Sequence, residues 1–176
     1  KGFIKACHSN GMAVLLDIVH NHYGPGDIAV WQFDQRLPET DGGIYFYRDE
    51  ERALTEWGPR PDYSRPEVRA FIVDSVRMFA EEYRLDGFRW DSVYNIRYYL
   101  NGQRSNADGD RLLAEANEWL RKNRPDMLRI AEDHAFDGGG VGFDAQWNSA
   151  FQASLSALVR GADAQRDLTL FSEELA

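Results

Sequence analysis

Two carboxylates, Asp91 and Glu132, close two segments of one design, LDGFRWDSV (85–93) and MLRIAED (127–133). Each is an apolar run with strand character that ends in an acid where the chain turns into a loop. A third segment, AVLLDIVHNH (13–22), repeats the design with Asp17, Asn21 and His22 near its end. Such segments suit parallel strands that deliver side chains to one rim of a barrel. Two carboxyl groups about 5 Å apart are what a retaining glycosidase or transglycosylase requires. One attacks the anomeric carbon, and the other protonates the leaving oxygen and later deprotonates the acceptor. Any one of these acids alone reads as well as a solvated strand end or a helix cap. Their recurrence carries the catalytic reading.

Arg89 lies two residues before Asp91, on the same face of a period-two strand. A guanidinium beside a carboxylate holds it ionised, which suits a nucleophile. Glu132 follows an apolar strand, where partial burial would favour its protonated form and suit a general acid. Asp133 falls on the opposite side and is expected to be structural. Asp17 could support the neighbouring loop by hydrogen bonds, and His22 could donate to a sugar hydroxyl. Read alone, Asn21 and His22 read first as turn residues. His20 is expected to point away from the His22 set, while His8 and His134 have no partner pattern and are expected to be structural.

No metal or cofactor site is expected. The stretch NADGD (106–110) lacks the alternating acids and distal glutamate of a calcium loop, so Asp108 or Asp110 is expected to cap a helix. There is no zinc-type Cys/His spacing and no phosphate-binding glycine fingerprint. The 176 residues carry a net charge of −9, which opposes a nucleic-acid or anionic-membrane partner. With 43% hydrophobic residues, a buried core is expected. The single Cys7 excludes an internal disulfide, and no apolar run of membrane-spanning length occurs.

The elements that must position these groups alternate. A helix end stops at Gly11, and Met12–Ile18 reads as a strand buried on both faces. A long loop follows at about 23–63, with Tyr23, Trp31, Phe33, Tyr45, Phe46, Tyr47 and Trp57. Its rings could stack on sugar faces or build a miniature core for the loop itself. A helix then begins with Ser64 as its cap, Pro66 in the first turn and Glu67 completing a capping box. Its expected inner stripe is Val68, Phe71, Ile72, Ser75, Val76 and Phe79. Leu85–Trp90 is the next strand, residues 95–110 a loop or broken helix, Arg111–Lys122 a helix, and Met127–Ala131 a strand. A loop with Gly138, Gly139 and Gly140 leads to a strand over Val141–Trp147. The last helix, Ser149–Val159, should turn Phe151, Leu155, Leu158 and Val159 inward. This order implies a parallel α/β sheet, either doubly wound or an arc of a barrel, and the acid-tipped strands favour the barrel. Neither end has a cap or tail-like composition, so a fragment of a longer chain is expected.

The three segments also match a known family. DIVHNH (17–22) resembles the first sequence motif of the α-amylase superfamily, glycoside hydrolase family 13. GFRWD (87–91) resembles its second motif and IAED (130–133) its third, in the right order and spacing. The resemblance covers nearly the whole chain. It implies Asp91 as nucleophile, Glu132 as acid/base, Arg89 and His22 as sugar-holding residues, and Asp17 as a supporting acid. Asn21 matches a position that binds calcium in many α-amylases but often does not in branching enzymes. HNHYGPGD, GGIYFY, WGPRPDYSRPEVR and EEYRLDGFRWDSV look like glucan branching enzymes, while IAED and FDAQWN are also similar to malto-oligosyltrehalose trehalohydrolases. The family's fourth motif, a His-Asp pair, is absent. The resemblance implies a partial (β/α)8 barrel over 1–176, about strands three to six, with a loop insertion at about 23–63. It implies action on α-1,4-glucan or malto-oligosaccharide, by branching or by hydrolysis, in the cytoplasm. The fragment alone is expected to be inactive. A non-catalytic binding module of the same fold is the remaining alternative.

Overall fold

The computed structural model describes residues 1–24, 29–34, 42–133 and 141–160. The loop with Gly138–Gly140, His134, Pro25–Asp27 of the HNHYGPGD motif and the segment 161–176 lie outside the described residues. Two compact units are present, Lys1–Gln146 and Trp147–Ala176.

In the first unit, helix α1 (Gly2–Ser9) ends at Gly11, whose φ of 71° lets the chain reverse as expected. The amides of Asn10 and Met12 take the Cys7 carbonyl, and that of Gly11 takes the His8 carbonyl. His8 does have a partner, since its Nε2 lies 2.8 Å from Asp86, which also accepts the Val14 amide. Strand β1 (Leu15–Ile18) follows, then β2 (Gly87–Trp90), β5 (Leu128–Ala131) and the two-residue β6 (Ala145–Gln146). They form one parallel sheet in the order β1-β2-β5-β6. Helix α2 (Pro66–Met78), continued by a π-helical turn over Phe79–Tyr83, joins β1 to β2. Helix α4 (Ala107–Asn123) joins β2 to β5. Between them, Val93–Arg97 forms the short helix α3, and Tyr98–Tyr99 (β3) pairs antiparallel with Arg104–Ser105 (β4). The expected broken helix is therefore a helical turn plus a hairpin.

Alternation along the strands divides the sheet into two unlike faces. Phe88 and Trp90 on β2, Ile18 on β1 and Ala131 on β5 are buried in the main core with Val68, Ile72, Val76, Leu112, Leu113 and Leu120 of α2 and α4. The opposite face carries Leu15, which is 44% exposed, and Leu128, which is 48% exposed. The expectation of a β1 strand buried on both faces fails for this reason. Its helix-facing side is packed, and its other side has no cover among the described residues.

Several local expectations are corrected. Arg65, not Ser64, occupies the cap position of α2, because the Ser64 hydroxyl donates to Asp62 at 2.5 Å instead of to the helix. Asp62 also accepts the Ser64 amide and Arg65 Nε, which closes the turn before Pro66. Phe71 is exposed on α2 and meets the Tyr45 ring edge-on, while Arg69 and Val73 are buried in its place. Arg69 tolerates burial because it donates to the Tyr63 carbonyl and pairs with Glu115. Helix α4 begins four residues earlier than expected, with Asn106 at its cap. Asp108 and Asp110 lie inside the first turn, where carboxylates favour the positive helix end. Strand β6 is shorter than expected, and just before it the Asp144 amide donates to the Arg129 carbonyl while the Asp144 carboxylate accepts from the Arg129 amide and Nε.

In the second unit, helix α5 (Ser149–Arg160) forms where expected, but it buries no residue. Phe151 and Leu158 are half-buried, and Leu155 and Val159 are exposed, so the expected inward stripe is not packed. Among the described residues no helix is long and apolar enough to cross a membrane.

Gly87 is where β1, β2 and β5 approach most tightly. A Cβ there would lie 2.6 Å from the Leu128 carbonyl oxygen and 2.7 Å from Leu15 Cδ2. Gly87→Ala should therefore destabilise the full protein by about 1–3 kcal/mol in urea unfolding. An unchanged midpoint would contradict this register.

Candidate active site

Strand register alone brings the chemistry together. Asp17 of β1 pairs in register with Arg89 of β2, and Trp90 pairs with Ala131 of β5. One residue on, the Asp91 amide donates to the Ile18 carbonyl and the Glu132 amide to the Trp90 carbonyl, so the ladder runs past the strand ends. Side chains alternate along each strand, so Asp17, Arg89, Asp91 and Glu132 all leave the sheet on the face away from the helices. Trp90, between Arg89 and Asp91, takes the helix side and is fully buried.

Arg89 joins the three acids. Its Nη1 donates to both oxygens of Asp17 at 2.8 and 3.0 Å and to Asp91 Oδ1 at 2.5 Å. Its Nη2 lies 2.7 Å from Glu132 Oε2. Burial works against the charge of this guanidinium, but its bonds to Asp17 and Asp91 and the charge of Glu132 more than offset it and raise its pKa. The expected neighbour of Asp91 is thus present. The expected apolar setting of Glu132 is not, because its carboxylate takes both Arg89 and the Ser92 amide at 2.8 Å. Ser92 can aim that amide because it adopts a left-handed conformation, φ 42°, immediately after Asp91.

Asn21 is the second organiser. It is fully buried, and its Nδ2 donates to the Asp91 carbonyl at 2.9 Å and to Asp91 Oδ2 at 2.8 Å. Its Oδ1 lies 2.5 Å from His22 Nδ1. A carboxamide oxygen only accepts, so Nδ1 of His22 carries the proton there. Burial lowers the His22 pKa, against an opposing pull from Asp91. The neutral ring then leaves Nε2 as an acceptor, so the structure corrects the expected sugar-donating role of His22. Among the described residues no group of three or more His, Cys, Asp or Glu could hold a metal.

His22, Trp57, Asp91, Ser92 and Glu132 line a cavity of about 260 Å³. The Trp57 ring is tilted 34° to His22 at 5.9 Å between centroids and remains 56% exposed. The next residue, Gly58, has φ 153° and approaches the Tyr23 carbonyl so closely that a Cβ would sit 2.6 Å from it. That approach ties the backbone next to Trp57 to Tyr23. Most other rings in the described part of the loop serve its own core. Phe46 meets Tyr23 and Trp31 edge-on, and Tyr47 meets Tyr63. His20 turns away from His22 as expected, bonding the Tyr23 hydroxyl at 2.8 Å and packing on Trp90. Asp133 is buried and pairs with Arg97 at 2.9 Å, in keeping with a structural role. Ser92 and the specific place of Trp57 were missed in the sequence, which carries no signal for a left-handed serine.

An acid pair bridged by one arginine at the ends of parallel strands is the arrangement of a glycoside hydrolase barrel. No protein-family model matches the chain. It is 32% identical to the 1,4-α-glucan branching enzyme GlgB of Fusobacterium nucleatum subsp. nucleatum, over 83% of this chain and 24% of that protein. It is also 32% identical to GlgB of Bacillus subtilis (strain 168), again over 83% of this chain and 24% of the relative. A crystal structure described as an α-amylase from Salmonella typhimurium superposes with a TM-score of 0.67 at 27% identity, over 92% of this chain and 26% of the other. An Anoxybacillus α-amylase shares the fold with a TM-score of 0.74 at 19% identity, over 99% of this chain and 38% of the other. These findings place the chain in the α-amylase superfamily, as an arc of its barrel most like that of the branching enzymes. It spans about a quarter of the length of the branching enzymes it matches.

Replacing Asn21 by Ala should lower kcat of the full-length enzyme about 10²-fold with little change in KM, since it frees Asp91 and leaves the cavity open. An unchanged kcat would remove Asn21 from the site's support. Stability should also depend on His20, whose pKa burial lowers to about 4. The unfolded chain binds this proton more readily, so the contribution is complete above about pH 6.5 and is lost as pH falls toward 4. Urea unfolding across this window should show a slope, worth at most ~3 kcal/mol, that is absent in His20→Asn. Equal slopes in both proteins would refute the assignment.

Proposed function

We propose that this chain carries the acid pair of a retaining α-glucan enzyme that makes α-1,6 branches in an α-1,4-glucan. The observation that carries this reading is the Arg89 guanidinium holding Asp91 and Glu132 at one cavity beside His22 and Trp57. Asp91 attacks the anomeric carbon of the glucan. The glycosidic bond breaks as the Glu132 carboxylic acid protonates its oxygen. The glucosyl unit then rests on Asp91 as an ester, and the cut chain leaves. A 6-hydroxyl of another glucan gives its proton to Glu132 and attacks the same carbon, which releases Asp91. Arg89 bonds Asp91 Oδ1 at 2.5 Å and fixes its direction for the attack. Asp17 holds the other side of Arg89. His22 and Trp57 bind the sugar, by hydrogen bond and by stacking.

The reading requires no metal or cofactor, and calcium is not part of it. Its partner is a neutral glucan, which fits the acidic net charge, and its place is the cytoplasm, by analogy with branching enzymes. Hydrolysis uses the same two carboxylates and differs only in the acceptor, water. The retained Asp91, Glu132 and Arg89 oppose a non-catalytic module. Incubating the full-length enzyme with amylose should give new α-1,6 linkages in excess of new reducing ends, and Asp91→Asn or Glu132→Gln should lower this turnover at least about 10³-fold. Reducing ends without branches would move the reading to hydrolysis, and turnover intact in both variants would sink it.

A further inference from the structure

The ion pair of Arg97 with Asp133 is buried on both sides, yet neither residue lines the catalytic cavity. A buried ion pair is weak support for stability, because desolvation of both charges offsets much of their attraction. Its directional bonds do fix geometry. Here the geometry concerns Glu132, which Asp133 follows directly. Helix α3 begins two residues after Asp91 and ends on Arg97. At its start the Ser92 amide donates to the Glu132 carboxylate and the Val93 amide to the Glu132 carbonyl, each at 2.8 Å. At its end Arg97 Nη1 donates to Asp133 Oδ2 at 2.9 Å. Arg97 is itself anchored at the start of α4. Its Nε donates to Asp110 at 2.8 Å, and its carbonyl accepts the Asn106 amide at 2.6 Å. Gln146 Nε2 donates to the Asp133 carbonyl at 2.7 Å from the next strand. One short helix, continuous with Asp91, therefore holds both Glu132 and the residue after it.

We propose that Arg97 is a positioning residue for proton transfer, which acts through Asp133 to aim the Glu132 carboxyl at the leaving oxygen. The proposal rests on the reading of Glu132 as the acid/base. Asp91 takes its bonds from Asn21 and Arg89, so loss of the Arg97 pair leaves both of its oxygens held. Glu132 shares Arg89, but its backbone direction is set by the peptide that joins it to Asp133. With Asp133 released, that peptide can turn, and a long side chain converts a small turn into a larger shift of its carboxyl. A misplacement of about 1 Å costs about 10²-fold in rate. The cost falls on the proton Glu132 delivers more than on the attack by Asp91.

Two donors separate these steps in the full-length enzyme, compared through kcat/KM, which reports the first covalent step. Amylose must receive a proton from Glu132 as its glycosidic bond breaks. With α-maltoheptaosyl fluoride, Asp91 attacks the same carbon while the C–F bond breaks, and fluoride leaves with the bonding pair and needs no proton. Arg97→Met combined with Asp133→Asn removes the ion pair without leaving a buried charge unpaired. This double variant should lose about 10²-fold on amylose and less than about threefold on the fluoride. Asp133→Asn alone keeps the shape of the site and should lose about tenfold on amylose, again with the fluoride spared. Equal losses on both donors in Asp133→Asn, or an unchanged rate on amylose in the double variant, would overturn the positioning role. Glu132→Gln is the reference and should lose far more on amylose than on the fluoride. If it lowers both donors alike, the acid/base reading of Glu132 fails instead.

Discussion

One guanidinium holds this site together. Arg89 lies among three carboxylates that would otherwise repel one another at close range, and it bonds to each of them. With only 11% of its side chain exposed, it is shielded from water on most sides. A partly buried charge is tolerable only when paired, and breaking a buried pair costs about 3–5 kcal/mol because the partner charge is left uncompensated. Here the constraint is mutual. The acids hold the arginine charged, and the arginine lets Asp17, Asp91 and Glu132 approach a common point. Parallel pairing of three consecutive strands supplies the spacing, since β1, β2 and β5 each contribute one level of the cluster.

The surroundings extend the same logic to the strand ends. Asn21 holds the Asp91 carbonyl and carboxylate together and sets the tautomer of His22. Ser92 turns left-handed and sends its amide to Glu132. A left-handed serine is a strained backbone state of a kind often found at functional sites. Behind the sheet, Phe88 and Trp90 lock β2 into the helix-facing core, so strand position and acid position are fixed together. The loop contributes less to the core than to the rim. Its rings Phe46, Tyr47 and Tyr63 are buried as its own support, and that support leaves Trp57 presented at the cavity.

The chemistry was more legible in the sequence than its geometry. Period-two alternation is enough to put Arg89 and Asp91 on one face and Trp90 on the other. The order of strands and helices is enough for a parallel sheet, and the comparisons with known barrels bear out the arc. Cross-strand register is not a local property, so the pairing of Asp17 with Arg89, and of Arg89 with Glu132, was beyond the reach of spacing. Capping failed for a similar reason. Ser64 has the right type and position, but Asp62 two residues earlier competes for its hydroxyl. Phe71 misled because hydrophobicity alone ranks it inward, whereas the buried Arg69 is stabilised by partners distant in sequence. The polar setting of Glu132 depends on Arg89 from the neighbouring strand and on one left-handed residue, Ser92, and composition reveals neither.

The most direct measurement is covalent. A fluorinated glucosyl donor that forms the glycosyl ester rapidly and releases it slowly should label the full-length enzyme, and peptide mass spectrometry should locate the sugar on Asp91. A label on Glu132, or turnover of the donor without any labelled carboxylate, would contradict the assignment of Asp91 as the attacking group.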